Sequence, residues 1–196
     1  MGRVIAISNQ KGGVGKTTTA INLSACLAEK GKRVLTIDMD PQGNTTSGLG
    51  IDKSTVEHTS YQLLTNETTI WEAMTPSIVP GLSVIASERS LAGAEIELIG
   101  FENKEYLLKS KLDMIKDNYD YIIIDCPPSL NLLTINAMTA ADSVIVPIQC
   151  EYYALEGLSQ LIHTIDLIKE RLNPKLEIEG VVFTMYDART NLSLQV

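Results

Sequence analysis

Near its amino terminus the chain contains the segment Lys11-Gly12-Gly13-Val14-Gly15-Lys16-Thr17-Thr18, a glycine-rich turn with two lysines. An apolar run at residues 4–8 precedes it, and residues 19–27 after it have the pattern of an amphipathic helix. When strand, turn and helix follow in this order, backbone N–H groups and a helix amino terminus point toward one position, which attracts a polyphosphate. We therefore predict that this segment binds a nucleotide.

The residue types of this segment indicate how the phosphates are held. Lys16 supplies a positive charge for the β- and γ-phosphates, and the hydroxyl group of Thr17 suits the coordination shell of Mg²⁺. The usual pattern has glycine five residues before Gly15, where this chain has Gln10, and Lys11 is a second cation that an ordinary phosphate loop does not need. The predicted nucleotide-binding residues are Lys11, Gly12, Gly13, Val14, Gly15, Lys16, Thr17 and Thr18.

The composition is that of a globular protein. Of the 196 residues, 44% are hydrophobic and 20% are charged, and this length favours one domain over two. A membrane-spanning helix needs about 20 consecutive apolar residues, and each apolar run in this sequence is much shorter. We therefore expect no membrane partner. The formal net charge of −8 argues against an overall affinity for nucleic acid, although it leaves room for a local basic patch.

Apolar runs predict strands at residues 4–8, 34–38, 82–86, 121–125, 144–148 and 181–185. Several of these runs do not alternate with polar residues, which is typical of strands buried on both faces of a parallel sheet. Helical patterns lie between them, so we predict a three-layer α/β/α sandwich with a mostly parallel, twisted sheet and right-handed crossovers. Residues 41–80 are the least regular part, with a polar loop and a short helix predicted at residues 68–74.

Three aspartates lie at the ends of predicted strands. Asp38 and Asp40 end one strand and Asp125 ends another, and ligands of parallel sheets bind beyond the carboxyl ends of the strands. We predict that Asp125 holds Mg²⁺ through a water molecule, because Mg²⁺ gives up its own waters reluctantly, and that Thr17 is a direct ligand. For Asp38 two interpretations stay open, namely support of the metal shell or hydrogen bonds to the loop threonine hydroxyls.

Several motifs, in the same order, resemble the ParA/MinD family of ATPases, in which the phosphate loop is a deviant Walker A motif. Besides residues 11–18, they are Asp38-Met39-Asp40-Pro41-Gln42-Gly43-Asn44, Asp125-Cys126-Pro127-Pro128-Ser129 and Cys150-Glu151-Tyr152-Tyr153-Ala154-Leu155-Glu156-Gly157. The chain looks most like chromosomal ParA proteins of the Soj type, since Gln10 is the ParA-like variant and MinD-like sequences tend to keep glycine there.

The resemblance implies a single P-loop ATPase domain over residues 1–196 that lacks the usual C-terminal elements of the family. It implies ATP and Mg²⁺ as cofactors and Asp40 as the residue that orients the attacking water. The predicted catalytic residues are then Lys11, Lys16 and Asp40. Lys11 would reach across a homodimer interface to the ATP of the partner, and the alternative is a lysine that contacts phosphate only within its own subunit.

The function that the resemblance implies is an ATP-dependent switch for chromosome or plasmid partition. ATP-bound dimers would coat nucleoid DNA non-specifically in the cytoplasm, and a ParB-like partner would stimulate slow hydrolysis and release them. Arg189 matches a position that contacts the DNA backbone, although it could equally pair with Asp187. The alternatives are a MinD-like, membrane-associated switch at the cell-division site, and an enzyme on the same fold that phosphorylates or carboxylates a metabolite.

Overall fold

The computed structural model describes residues 2–149, 154–186 and 189, without the side chains of residues 154–156. Its strands are β1 (Arg3–Ile7), β2 (Val34–Asp38), β3 (Met74–Pro76), β4 (Leu82–Ile85), β5 (Tyr121–Asp125), β6 (Ser143–Gln149) and β7 (Glu177–Thr184). Its helices are α1 (Lys16–Glu29), α2 (Asn44–Gly48), α3 (Ser60–Leu64), α4 (Leu91–Glu97), α5 (Leu107–Leu112), α6 (Leu132–Ala140) and α7 (Ala154–Arg171). Over the described residues the strands form one sheet in the order β3-β4-β2-β5-β1-β6-β7, and each pairing except β3 with β4 is parallel.

Helices cover both faces of this sheet, because successive strand residues point to opposite faces and both sets are apolar. In β1, Val4 and Ala6 pack in a core cluster with residues of α4, α5, α6 and α7. Ile5 and Ile7 pack on the other face with residues of α1. Burial of one large aliphatic side chain contributes about 1.5–3 kcal/mol. The predicted three-layer sandwich is therefore confirmed.

The strand register brings the predicted site residues to one edge of the sheet. β2 and β5 are neighbours, and Asp38 lies opposite Asp125. β1 pairs with the other side of β5, so that Ile7 also lies opposite Asp125. Because the glycine-rich segment follows β1 directly, it starts beside the two aspartates, as expected for the carboxyl edge of a parallel sheet.

The region before β4 differs from the sequence prediction. The helix predicted at residues 68–74 is wrong, since only one turn forms there, closed by the Ala73 amide donating to the Thr69 carbonyl at 3.1 Å. From Met74 the backbone pairs antiparallel with β4 at the sheet edge. This pairing satisfies backbone groups of β4 that would otherwise lack partners, and Pro76 is tolerated because it lies on an edge strand.

Candidate nucleotide site

The glycine-rich segment forms a loop between β1 and α1. Gly13 and Gly15 have φ angles of +74° and +86°, in the left-handed region that glycine adopts without strain. Gly15 is the residue before the first turn of α1, and among the described residues no side chain caps that helix start. The amide groups of the first turn of α1 are therefore available to an anion.

Two neighbouring strands hold the loop in place. The Asn9 side-chain amide donates to the Pro147 carbonyl of β6 at 2.7 Å, and its oxygen accepts from the Lys11 amide at 3.0 Å. On the other side, the Thr184 hydroxyl at the end of β7 donates to the Val14 carbonyl at 2.8 Å. Because both ends of the loop are bonded to the sheet, its conformation is preorganised rather than formed around a ligand.

Lys16 is buried at the start of α1, with 7% of its surface exposed. Its ammonium group donates to the Lys11 carbonyl at 3.0 Å. Burial lowers the pKa of Lys16 below its usual 10.5, and the negative charges of Asp125 and Asp40 oppose this shift. A polyphosphate in the loop would add negative charge next to a desolvated cation, which is a strongly favourable arrangement.

Asp125, at the end of β5, is buried and only half satisfied. One carboxylate oxygen accepts from the hydroxyl groups of Thr17, at 2.9 Å, and Thr45, at 2.6 Å. The other oxygen is buried without a hydrogen-bond partner among the described residues. Burial raises the pKa of Asp125 to about 6. A hydrated cation would supply both the missing hydrogen bond and the missing positive charge, so these residues fit a Mg²⁺ site.

Asp38, at the end of β2, is buried and fully bonded. One oxygen accepts from the amide of Thr46 at 2.8 Å and from its hydroxyl at 2.7 Å, and the other accepts from the Asp40 amide at 3.1 Å. Burial and the nearby charge of Asp125 raise the pKa of Asp38 to about 7. Thr46 is the one loop threonine that these contacts include, and a role of Asp38 in the metal shell stays a prediction.

Asp40 lies in the loop that follows β2. One carboxylate oxygen accepts from the Gln42 amide at 2.9 Å, and the Asp40 carbonyl accepts from the Ser87 hydroxyl at 2.7 Å. A cavity of about 290 Å³ borders this loop and the phosphate loop. Its lining residues are Gly12, Gly13, Gly15, Lys16, Thr17, Thr18, Asp40, Asn44, Pro128 and Met185. The structure therefore places Asp40 and Lys16 on the same cavity.

Three site residues were not predicted from the sequence. Thr45 and Thr46 lie in a polar stretch that was interpreted as loop and forms the short helix α2. Ser87 follows β4, and its amide donates to the Thr46 hydroxyl at 2.9 Å. The rule that ligands bind beyond the carboxyl ends of parallel strands points to Ser87 only once β4 is known to be the neighbour of β2, and that strand order comes from the structure.

Substitution of Gly43 is predicted to destabilise the Asp40 loop. Gly43 has a φ angle of +61°, and a Cβ atom there would lie 2.6 Å from the Ser87 carbonyl oxygen. Gly31 has a similar φ angle of +75° with nothing within 4 Å, so it is the matched control. We expect Gly31→Ala to lower the free energy of unfolding by about 1 kcal/mol and Gly43→Ala by about 3 kcal/mol. Urea denaturation measures both, and equal losses would contradict the proposed contact.

Other predicted residues lie away from these contacts or outside the described part. Arg189 is exposed in a turn, and its role in binding DNA stays a prediction. Residues 150–153 of the motif at 150–157 lie outside the described residues, as do the side chains of residues 154–156. Among the described residues no group of three or more His, Cys, Asp or Glu side chains could hold a metal ion. A cation at Asp125 would therefore need the Thr17 hydroxyl, phosphate oxygens and water as further ligands.

A parallel sheet with a glycine-rich loop after β1, a buried loop lysine and an aspartate on the adjacent strand defines the P-loop class of nucleotide-binding proteins. A family model described as AAA domain matches residues 2–178. The sporulation initiation inhibitor protein Soj of Bacillus subtilis is 60% identical over 196 residues, which are 100% of this chain and 78% of that protein. The chromosome partitioning protein ParA of Myxococcus xanthus is 57% identical over 196 residues, 100% of this chain and 69% of that protein. The chain belongs to the ParA family of P-loop ATPases, as the motifs predicted.

The solved structures include a similar protein with nucleotide and metal. Cobyrinic acid a,c-diamide synthase from Mycobacterium smegmatis, with bound ATP analog and magnesium, matches with a TM-score of 0.95 and 41% identity. The match covers 100% of this chain and 80% of that one, which supports the fold described above. In the part of the chain that the structure describes, each helix is too short or too polar to cross a membrane.

Proposed function

We propose that this protein is an ATP-dependent partition switch, which dimerises on ATP, binds DNA non-specifically and is released by slow hydrolysis that a ParB-like partner stimulates. The observation that carries this proposal is the similarity to Soj and ParA over the full length of the chain. This similarity spans the segment of this chain in which Lys11 accompanies Lys16. Arg189 is the proposed contact to the DNA backbone, where a cation neutralises phosphate charge.

The phosphate loop would bind ATP in two ways. The amides at the start of α1 would donate hydrogen bonds to phosphate oxygens, and the Lys16 ammonium group would exchange the Lys11 carbonyl for a phosphate oxygen of higher charge. This exchange is favourable because burial leaves the Lys16 cation poorly solvated. Most of the binding energy is therefore expected to come from the triphosphate rather than from the base.

Thr17 and Asp125 are the residues that would hold Mg²⁺, and the ion would neutralise charge that develops on the phosphates. The Thr17 hydroxyl already donates its proton to Asp125, which leaves its oxygen lone pairs for a cation. The unbonded oxygen of Asp125 would accept from a water of the metal shell. Asp38 would keep its bonds to Thr46 and the Asp40 amide and so hold the start of the Asp40 loop.

Asp40 would position the attacking water. It is half-buried on the cavity that the phosphate loop lines, and one of its oxygens is held by the Gln42 amide. A carboxylate is a weak base, so Asp40 is expected to orient the water rather than remove its proton early. Turnover is therefore expected to stay below the roughly 1 s⁻¹ that marks the slow end of typical enzymes, which suits a timing device.

Removal of the Lys11 side chain is predicted to separate nucleotide binding from dimerisation. The contact of Lys16 is to the Lys11 carbonyl, which an alanine retains, so Lys11→Ala should bind ATP within about tenfold of the wild-type affinity. Without the proposed trans contact to phosphate, the variant should stay monomeric. Light scattering with saturating ATP and Mg²⁺ measures the mass, and exposed Lys32→Ala is the matched control. A stable ATP dimer of Lys11→Ala would remove the trans role.

The proposed function is tested by phosphate release from the purified protein with ATP and Mg²⁺. The expected result is slow release alone and faster release when DNA and a ParB-like protein are added together. Sedimentation with DNA should require ATP, because only the dimer presents two binding surfaces at once. ATP-independent binding to DNA, or turnover that DNA and the partner leave unchanged, would contradict the switch.

The match to a cobyrinic acid diamide synthase favours one alternative function, an ATP-dependent enzyme that acts on a small molecule. Such an enzyme needs room for a second substrate beside the nucleotide. Turnover that is accelerated by a carboxylic-acid metabolite and not by DNA would support it.

A further inference from the structure

The short helix α2 lies between the two buried carboxylates of the site. Its consecutive residues Thr45 and Thr46 donate hydroxyl protons to Asp125, at 2.6 Å, and to Asp38, at 2.7 Å. Asp38 and Asp125 are opposite each other on neighbouring strands, so α2 bridges β2 and β5 at the carboxyl edge. Neither threonine has an exposed surface, which means that both hydroxyls depend on these partners.

A second connection leads from α2 to the carbonyl of Asp40. The Ser87 amide donates to the Thr46 hydroxyl at 2.9 Å, and the Ser87 hydroxyl donates to the Asp40 carbonyl at 2.7 Å. Ser87 is fully buried. Together with the peptide bond that joins Thr45 to Thr46, these hydrogen bonds connect the proposed metal-binding carboxylate to the loop of the proposed water-positioning carboxylate through Thr45, Thr46 and Ser87.

No single residue of this path can move without breaking a hydrogen bond to the next one. A buried hydroxyl or carboxylate that loses its hydrogen-bond partner is left unsatisfied, and this is unfavourable in the protein interior. α2 is also held against α1, because Gly48 lies so close to Ile21 that a Cβ atom would be 2.3 Å from the Ile21 Cδ1 atom. Since α1 begins at the phosphate loop, α2 has a defined position relative to Lys16 and Thr17.

We propose that Thr45 and Ser87 are positioning residues that fix the Asp40 loop relative to the metal-binding oxygen of Asp125. The inference rests on the proposed function, in which Asp40 orients the water and Asp125 the metal. Neither residue would contact the nucleotide. Their removal should therefore slow hydrolysis and leave the affinity for ATP nearly unchanged.

The test compares Thr45→Val, Ser87→Ala and the rescue variant Thr45→Ser. Each is measured for affinity to a fluorescent ATP analogue, for single-turnover phosphate release with saturating ATP and Mg²⁺, and for the Mg²⁺ concentration at half-maximal rate. Thr45→Val and Ser87→Ala should each slow phosphate release at least about tenfold with an affinity change below about threefold. Thr45→Ser should release phosphate within about threefold of the wild-type rate, because it retains the hydroxyl.

Thr139 offers a matched control. It is a threonine of α6 with 1% of its surface exposed, and its hydroxyl has no hydrogen-bond partner among the described residues. Thr139→Val makes the same chemical change at the same depth, and it should leave both the affinity and the rate of phosphate release unchanged. A loss of rate in Thr139→Val equal to that in Thr45→Val would show a general packing effect and overturn the proposal.

The double variant Thr45→Val/Ser87→Ala distinguishes one connected path from two separate contacts. If the path acts as a unit, the second substitution should add little to the first, whereas independent contacts would multiply their effects. Multiplying effects, or variants that release phosphate at the wild-type rate, would overturn the proposal. If Thr45→Val fails to fold, Ser87→Ala alone tests the proposal, which requires slower phosphate release with a nearly unchanged affinity for ATP. A wild-type protein that does not hydrolyse ATP would instead contradict the proposed function itself.

Discussion

Lys16→Ala should lose nucleotide binding, with the dissociation constant for ATP raised at least about 100-fold. Hydrogen bonds to charged groups contribute roughly 1.5–3 kcal/mol each, and 1.4 kcal/mol corresponds to a factor of ten. Lys16 is a cation with 7% exposure on the same cavity as the start of α1. Its ammonium group is desolvated, so its interaction with phosphate is weakly screened by water.

Titration with a fluorescent ATP analogue measures this effect. Lys30→Ala is the matched control, because Lys30 is exposed at the other end of α1 and should leave the affinity unchanged. A thermal melt separates loss of binding from loss of folding. The Lys11 carbonyl loses its bond to Lys16 in this variant, but it can accept a hydrogen bond from water instead, so we expect the melting temperature to fall only slightly. Wild-type affinity in Lys16→Ala would rule out this loop as the nucleotide site.

Asp40→Ala should bind ATP and dimerise, but it should hydrolyse the bound ATP much more slowly than the wild-type protein. Removing a group that orients the attacking water is expected to slow phosphate release by about 10²–10³-fold, while the ATP affinity changes less than about threefold. The reason is that Asp40 borders the cavity, whereas the proposed phosphate contacts come from the loop and from Lys16. ATP-bound dimers should therefore accumulate, and light scattering together with single-turnover phosphate release follows both effects.

Asp40→Asn tests whether the charge or the loop geometry matters. Its side-chain oxygen can still accept from the Gln42 amide, so the loop should be retained while the negative charge is lost. Asp52 is the matched control, since its carboxylate accepts from the Ser54 amide at 2.9 Å in the same local geometry as Asp40 and Gln42. Asp52→Asn should hydrolyse ATP normally. Normal phosphate release by Asp40→Asn would contradict the assignment of Asp40.

The phosphate loop and the aspartates could be predicted because their arrangement depends on short segments. The turn between β1 and α1 is local, and Gly15, Lys16 and Thr17 are placed by the backbone of one continuous segment. Parallel strands share a carboxyl edge whatever their order, so Asp38, Asp40 and Asp125 were expected near the loop before the register was known. The central strands were also recognisable, because a strand buried on both faces must be apolar at every position.

The partners of those aspartates could not be predicted, because they depend on long-range packing. Thr45 and Asp125 are 80 residues apart in sequence, and Ser87 and Asp40 are 47 apart. Their contacts require the order of β4, β2 and β5 and the placement of α2, for which no local pattern exists. The same applies to β3, where pairing with the open edge of β4 outweighed a weak helical preference. Local sequence therefore specified which groups line the proposed nucleotide site. Strand order and register established which groups hold them there, since hydrogen bonds between distant segments form only when the sheet is assembled.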